Sequence, residues 1–282
     1  MLYPAELPGR SALHYSRKAP VRSRAIWLLA LLALADPAAA QTQPLACPNP
    51  STPVGAMARI RERLEIELTD GRLIKLAHIA PFEASPRGAM RRQYAQAALE
   101  SWLATGDVMV PERLPLADRW GRILTSAATS RGETIGLKLV SQGLARVGPS
   151  QRDACLPALL AAEEKARNAK LGLWADSYYS VLAADQSAAL SAHTGEFVIA
   201  DGRVYRIGQT SARFYLDLGP ARGGNLSVTF SRQDAKSFAE AGIVPEKLTG
   251  QMIRVRGVIE HRPGPLMEIF TPAALEVIGL KH

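Results

Sequence analysis

The sequence has no apolar run long enough to cross a membrane. Its longest apolar run, residues 25–34, has about ten residues, roughly half of what a transmembrane helix needs. The run follows a basic segment and precedes Ala38, Ala39 and Ala40, an order typical of a secretory signal peptide. We therefore predict that residues 1–40 are a signal peptide. The protein is then exported, periplasmic or secreted, with no stable membrane anchor after cleavage.

The sequence also lacks any long block of charge of one sign. Without residues 1–40 the formal net charge falls from +8 to +5. This modest positive excess is compatible with phosphate-rich partners but does not require them, because soluble surfaces with mixed charges give similar totals. Net charge alone therefore does not identify a partner.

Cysteine is scarce, and both cysteines lie beyond the predicted signal peptide, at positions 47 and 155. In the oxidising compartment that export implies, two cysteines commonly pair. We predict a disulfide between Cys47 and Cys155, which would attach the N-terminal arm to the domain. The alternative is a pair of free buried thiols.

The hydrophobic pattern divides the rest of the chain into segments. Residues 41–55 are predicted to be an arm, and residues 56–68 and 73–76 form a hairpin that turns at Asp70-Gly71. Helices are predicted from Ser85 or Pro86 to Thr105-Gly106, over 135–142 and over 155–170. Short strands are predicted at 108–110 and 122–127. The predicted organisation is a first domain at 56–176, a linker at 177–193 that is either irregular or partly helical, and a second domain at 194–282.

One group of motifs carries a family resemblance. Its members are Asp118-Arg119-Trp120-Gly121-Arg122, Leu139-Val140, Gly143-Leu144-Ala145 and Gly172-Leu173-Trp174. Together they resemble the thermonuclease (staphylococcal-nuclease-like) domain, over about residues 57–176. The resemblance implies a fold that is α+β or mainly β, namely a five-stranded Greek-key barrel of the OB type with packed helices.

The resemblance also implies a phosphodiesterase site. In this family two aspartates hold a calcium ion, a glutamate activates water, and two arginines clamp the phosphate of DNA or RNA. Arg122 takes the place of the phosphate-gripping arginine, although it would otherwise be read as a surface residue beginning a strand. Lys75 takes the place of the second arginine, with a point charge instead of a bidentate fork. Glu83 is the candidate general base.

The metal-binding aspartates of the family are missing, because Ala80 and Leu64 stand where they are expected. The remaining metal-ligand candidates are Glu62, Glu65 and Glu83, whereas calcium usually takes six to eight oxygens. Two explanations stay open: a pseudo-enzyme that keeps part of the phosphate clamp, or a rearranged site using calcium or another divalent metal. Asp118 is expected to cap its turn or to pair with Arg119 or Arg122.

Three other conspicuous residues are assigned structural roles. His78 is predicted to be a core or edge residue, because no second histidine lies at metal-site spacing. Trp120 and Trp174 are predicted to pack in the interior, with base stacking as the alternative. None of the three is assigned to catalysis.

Residues 194–282 are rich in predicted strands, with one helix near 232–241. We predict a second, small OB-like β-barrel. Barrels of this type often bind single strands through basic and aromatic residues on one face. The candidates are Tyr205, Arg206, Arg213, Tyr215, Arg254 and Arg256. The alternative is that these arginines are solvated outward residues and that the tyrosines belong to the core.

Three functional hypotheses follow. The first is an exported metal-dependent nuclease acting on single-stranded DNA or RNA. The second is a non-catalytic two-barrel protein that retains affinity for nucleic acid, and the third is an envelope protein that contacts an unknown protein or a glycan. A cluster of carboxylates around Lys75 and Arg122 would favour the first hypothesis over the other two. A structure is needed to see whether such a cluster exists.

Overall fold

The computed structural model describes residues 47, 49–150, 153–220, 224–260, 262 and 264–279. The predicted signal peptide and part of the predicted arm, residues 41–46 and 48, lie outside these residues, and the end of the arm from Thr52 onward belongs to a strand. Among the described residues, no helix is both long and apolar enough to cross a membrane. The chain has mixed α/β content, with two sheets and five α-helices in the described part.

The first sheet contains the strands β1 (Thr52–Ile60), β2 (Ile66–Leu68), β3 (Leu73–Leu76), β4 (Asp107–Val110) and β5 (Arg122–Thr125). Their spatial order is β4-β1-β2-β3-β5, so the β2–β3 hairpin predicted at Asp70-Gly71 is confirmed. β3 and β5 are parallel, with Leu73 opposite Arg122 and Lys75 opposite Leu124. Because Ile74 and Leu76 point into the core, Lys75 and Arg122 lie on the outer face.

The helices are α1 (Pro86–Trp102), α2 (Ile135–Ser141), α3 (Leu156–Asn168), α4 (Ser187–Ala192) and α5 (Ala235–Glu240). The predicted start of α1 is confirmed, because the Ser85 side chain caps it by accepting from the Gly88 amide at 3.2 Å. The helix ends at Trp102, before the predicted Thr105-Gly106.

The second sheet contains β6 (Leu182–Ala183), β7 (Phe197–Arg203), β8 (Arg206–Gln209), β9 (Arg213–Asp217), β10 (Ser227–Ser231), β11 (Met252–Glu260), β12 (Leu266–Glu268) and β13 (Leu275–Ile278). The order is β6-β7-β11-β12-β10-β9-β8, with β13 paired to β11. The sequence pattern missed β6 and β13. Neither sheet closes on itself among the described strands, so the two OB-type barrels stay predictions.

The segment 177–193, predicted to be a linker, is ordered and packed. It contains a 3₁₀ turn at Ser177–Tyr179, strand β6 and helix α4, and β6 pairs with β7. Tyr179 and Leu190 are buried. The segment therefore contributes a strand to the second sheet. The sequence did not indicate this strand, because residues 177–193 lack strong hydrophobic periodicity.

Apolar clusters join the two sheets into one packed unit. Each sheet has its own core, and a third cluster mixes Ala80, Ala166 and Trp174 of the first part with Phe197 and Ile199 of β7. Trp174 is therefore a packing residue, as predicted. The predicted disulfide between Cys47 and Cys155 is present and lies beside a fourth cluster that includes Leu156 and Ala273.

A buried ion network crosses the same interface. The guanidinium of Arg256, on β11, donates to the Val147 carbonyl at 3.0 Å and to Glu163, on α3, at 2.9 Å. It also donates to Glu276 on β13. Glu163 in turn accepts from the Val147 amide at 2.6 Å. Arg256 and Glu163 have side chains that are only 1% exposed, so each charge depends on the other.

Replacing Arg256 with alanine should therefore destabilise the protein strongly. Removing one partner of a buried pair leaves an uncompensated charge, which costs about 3–5 kcal/mol. The free energy of unfolding, measured with urea, is the readout. Arg254→Ala is the matched control, because Arg254 lies on the same strand but pairs with the more exposed Asp201 and should cost about 1 kcal/mol. Equal losses in the two variants would contradict the role of the network.

Candidate functional site

The turn at residues 118–122 is built around the carboxylate of Asp118. Its Oδ1 accepts from the backbone amides of Trp120 at 2.9 Å and Arg122 at 3.0 Å. Gly121 has φ +74°, which favours glycine at this position. Asp118 thereby caps the turn and presents Arg122 at the start of β5, so the predicted capping role of Asp118 is confirmed.

The guanidinium of Arg122 is shared between two carboxylates. Nε and Nη2 donate to Asp118 at 2.9 and 2.8 Å, and Nη1 donates to Glu65 at 3.1 Å. The Arg122 hydrogen bonds lower the pKa of Asp118 to about 2, and the pKa of Arg122 is raised in turn, mainly by the bond to Asp118. The predicted pairing of Asp118 with Arg122 is confirmed, and Glu65 is an additional partner.

The indole of Trp120 lies on the surface beside these residues. It is 59% exposed, so the prediction that Trp120 packs in the interior is wrong. The Arg119 and Arg122 guanidiniums lie 3.9 and 4.7 Å from its ring centroid. Trp120 therefore makes cation–π contacts with two arginines at the edge of the site.

Lys75 lies on the outer face of β3, next to Arg122. Partial burial lowers the pKa of Lys75, and the Arg122 charge lowers it further, while Asp118 and Glu65 act in the opposite direction. Among the described residues Lys75 makes no ion pair within 4.0 Å. The structure thus brings together Lys75 and Arg122, as predicted, but only Arg122 has its charge directly paired.

These side chains border the cleft, a cavity of about 550 Å³ between the β1–β2 turn, β3 and the segment leading to α1. Four cationic residues line it, together with one acidic residue, Glu62. Arg63 and Arg92 are the cations that sequence reasoning missed. Within the described chain neither makes an ion pair. The lining consists of Glu62, Arg63, Leu64, Lys75, Leu76, Ile79, Ala80, Pro81, Phe82, Ala84, Arg92 and Arg122.

Glu83, the candidate general base, does not line this cleft. Its side chain is 1% exposed, accepts from the Tyr179 hydroxyl and lies 3.5 Å from Nη2 of Arg146. Arg146 also donates to the Phe197 carbonyl on β7 at 2.8 Å. Burial and the bond to Glu83 both raise the pKa of Tyr179. The structure therefore separates Glu83 from Lys75 and Arg122 and places it in the contact between the two sheets.

The residues around the cleft do not fit a calcium ion. Among the described residues, no group of three or more His, Cys, Asp or Glu side chains is arranged to hold a metal. Glu65 is committed to Arg122, and Leu64 and Ala80 line the cleft where carboxylates would be required. Calcium needs several oxygens at 2.3–2.6 Å, and Glu62 alone cannot supply them.

His78 is a core residue, as predicted. It is 4% exposed, and its Nε2 lies 2.7 Å from Oδ2 of Asp153. Asp153 also accepts from the Cys155 amide at 2.9 Å at the start of α3. His78 is therefore linked through Asp153 to the start of α3, beside the disulfide, and it does not line the cleft.

Each of the four arginines predicted to form a basic face on the second sheet has a carboxylate partner. Arg206 pairs with Asp217, Arg213 with Glu268, Arg254 with Asp201, and Arg256 with Glu163 and Glu276. Arg256 is also fully buried. The face therefore offers little unpaired positive charge for a nucleic-acid backbone, in contrast to the cleft in the first sheet.

If the cleft holds no calcium, calcium should not stabilise the protein. A ligand that binds only the folded state at one hundred times its Kd adds about 2.7 kcal/mol to the free energy of unfolding, and so raises the melting temperature. We expect no change in melting temperature between EDTA and millimolar calcium. A calcium-dependent rise that is lost in Glu62→Gln would show that a metal site exists here.

Two comparisons with known proteins bear on this site. A search of the curated proteins returned no match. Residues 74–176 match the family model for the staphylococcal nuclease homologue. The matched segment includes Lys75, Glu83 and Arg122, and it begins after Glu62 and Glu65. The chain therefore contains, at residues 74–176, a domain similar to staphylococcal nuclease homologues.

Proposed function

We propose that this protein binds single-stranded nucleic acid, DNA or RNA, through the phosphates of its backbone, and does not hydrolyse it with a metal. The observation that carries the proposal is the charge of the cleft. Arg63, Lys75 and Arg92 line it without an ion-pair partner, and no cluster of carboxylates among the described residues can hold a metal beside them.

Unpaired cations that converge on a concave surface are the usual basis of backbone binding. A phosphodiester chain releases condensed counterions when lysine and arginine neutralise its charges, which drives association. Arg119 adds a further cation at the edge of the cleft, over the Trp120 ring. A flexible single strand can follow such a concave surface, and proteins that bind single strands use positively charged grooves of this kind.

Hydrolysis has less support than binding. Cleaving a phosphodiester requires an activated water and stabilisation of developing negative charge, usually with a metal acting as a Lewis acid. Glu83 is buried against Tyr179 and Arg146, and Glu65 is held by Arg122. The cleft thus retains positive charge, whereas the carboxylates of Glu83 and Glu65 are engaged outside it and Glu62 is the one acidic residue in its lining.

We also propose that the protein acts outside the cytoplasm. The signal-peptide pattern of residues 1–40 supports export, and so does the disulfide between Cys47 and Cys155, because such bonds persist in oxidising compartments. The partner is then nucleic acid encountered in the periplasm or outside the cell.

For the fold, we propose that each sheet closes into an OB-type barrel. In the first sheet, β1, β2 and β3 form an antiparallel meander, and a bridge between Met109 and Ala128 links β4 to the chain that follows β5. This linkage would bring the two edges of the sheet together. Barrels of this type commonly bind single strands.

The purified chain should bind a fluorescent oligothymidylate, and the affinity should fall linearly on a log–log plot as salt rises. Lys75→Ala should weaken binding about equally for all sequences and reduce the magnitude of the salt slope by about one, because it removes one phosphate contact. Fluorescence anisotropy across a salt titration measures both quantities.

The matched control for this experiment is Lys236→Ala. Lys236 is a surface lysine on α5 with a side chain that is 89% exposed, and it lies outside the cleft. It should change neither affinity nor slope. Failure of the wild-type chain to bind any oligonucleotide at low salt would refute the proposal. Metal-dependent cleavage of the probe, lost in Arg122→Ala, would replace it with a nuclease.

Glu65 competes with phosphate for the guanidinium of Arg122, which leads to a second prediction. Glu65→Gln removes a negative charge and replaces the charged acceptor of Nη1 of Arg122 with a weaker neutral one, so an incoming phosphate competes better for that donor. A hydrogen bond to a charged group contributes about 1.5–3 kcal/mol, so we expect affinity for the oligonucleotide to rise about tenfold.

Two variants with the same charge change separate competition from general electrostatics. Glu62→Gln neutralises a carboxylate that lines the cleft without touching Arg122, and Glu67→Gln neutralises one that pairs with Arg59 and Arg61. Both should increase affinity less than Glu65→Gln. An equal increase in all three variants would show that Glu65 acts only through net charge.

A further inference from the structure

The cleft has an apolar part as well as a cationic part. Seven of its twelve lining residues are apolar, and they come from the β1–β2 turn, from β3 and from the segment that follows β3. Leu64, Leu76 and Ala80 are buried and form its floor, whereas Phe82 is half-buried and Pro81 and Ala84 are exposed at its side. An incoming ligand can therefore touch an apolar surface and the cations at once.

The same residues explain why the cleft does not fit a metal ion and why it has an apolar surface. Leu64 and Ala80 offer hydrocarbon where a cation would require carboxylate oxygens. A cavity of about 550 Å³ lies within the usual range for small-molecule sites, which combine apolar walls with a few placed polar groups. The cleft is thus built for a ligand with an apolar or aromatic body and an attached anionic group.

We propose that the apolar part of the cleft receives one unstacked base of the bound strand, while the adjacent phosphate lies against Lys75 and Arg63. This inference rests on the proposed function and names the subsite that distinguishes a nucleotide from a bare phosphate. The Phe82 side chain and Pro81 supply the surface that the base contacts, and every base has an aromatic face suited to such a contact.

Charge complementarity selects a polyanion as the occupant. Four cations and one carboxylate line the cleft. A second cavity of about 480 Å³ shares Glu62 and Arg63 with it and adds Arg59, Arg61 and Glu65. Arg59 and Arg61 share a single carboxylate, that of Glu67, so this pairing balances only one of their two charges and the basic surface continues beyond the pocket for a base. A ligand that places anions on both sides of an aromatic group is a nucleotide within a strand.

The test compares two probes that have the same charge, using the full chain. One probe is a short oligothymidylate, and the other is an abasic oligodeoxynucleotide of the same length. Stacking of a base on a protein surface contributes about 1–3 kcal/mol, so the abasic probe should bind about tenfold more weakly. Equal affinity for the two probes would overturn the base subsite and leave the proposed backbone binding intact.

A protein variant should remove the same difference. Ala84→Gln fills the exposed side of the cleft without a change of charge, so it should bring the two affinities close together while affinity for the abasic probe stays unchanged. The matched control is Ala97→Gln, the same substitution at an exposed position of α1 outside the cleft, which should preserve the tenfold difference. A difference that persists in Ala84→Gln would overturn the inference.

Three other outcomes bear on the inference. If neither probe binds at low salt, the proposed function fails, and the base subsite fails with it. If phosphatidylglycerol vesicles displace the oligothymidylate while thymidine monophosphate does not, the apolar part of the cleft accepts a lipid chain, which also overturns the inference. Thymidine monophosphate should displace the oligothymidylate at a concentration about tenfold lower than inorganic phosphate requires, and this result would support the base subsite.

Discussion

Two buried carboxylates, each held by an arginine, constrain the whole structure. Glu163 is bonded to Arg256 and to the Val147 amide, and Glu83 is bonded to Tyr179 and lies beside Arg146. A carboxylate this deeply buried can remain charged only if donors replace its hydration. Those donors come from both sides of the contact between the two sheets. The two sheets must therefore pack together for either carboxylate to be satisfied, and the same packing removes Glu83 from the cleft.

The electrostatics of the cleft follow from where the carboxylates are engaged. Asp118 and Glu65 are bonded to Arg122, and Glu67 is bonded to Arg59 and Arg61, which lower its pKa to about 2. Within the described residues Arg63, Lys75 and Arg92 have no such partners around the cavity. In the proposed binding, an anionic ligand would meet these three charges without displacing a carboxylate, and Glu65 would compete with it for Nη1 of Arg122.

Local patterns and the single disulfide were predictable from the sequence, and the long-range polar pairings of buried carboxylates were not. The β2–β3 hairpin follows from Asp70-Gly71, the start of α1 from Ser85-Pro86, and the turn at 118–122 from its own residues. Lys75 and Arg122 were brought together as predicted because adjacent strands carry them. By contrast, the bond of Glu83 to Tyr179 spans 96 positions and that of Arg256 to Glu163 spans 93. No pattern in the sequence indicates such partners, so the sequence alone left open whether the arginines of the second sheet form a binding face.

Backbone conformation links the turn before β2 to the apolar part of the cleft. Leu64 has φ +58°, a left-handed conformation that costs a residue with a side chain of the order of 1–3 kcal/mol. Its side chain is 2% exposed and packs in the core of the first sheet, and this burial offsets the strain. The turn that presents Glu65 to Arg122 and the apolar lining of the cleft therefore share one residue, Leu64, whose burial holds both in place.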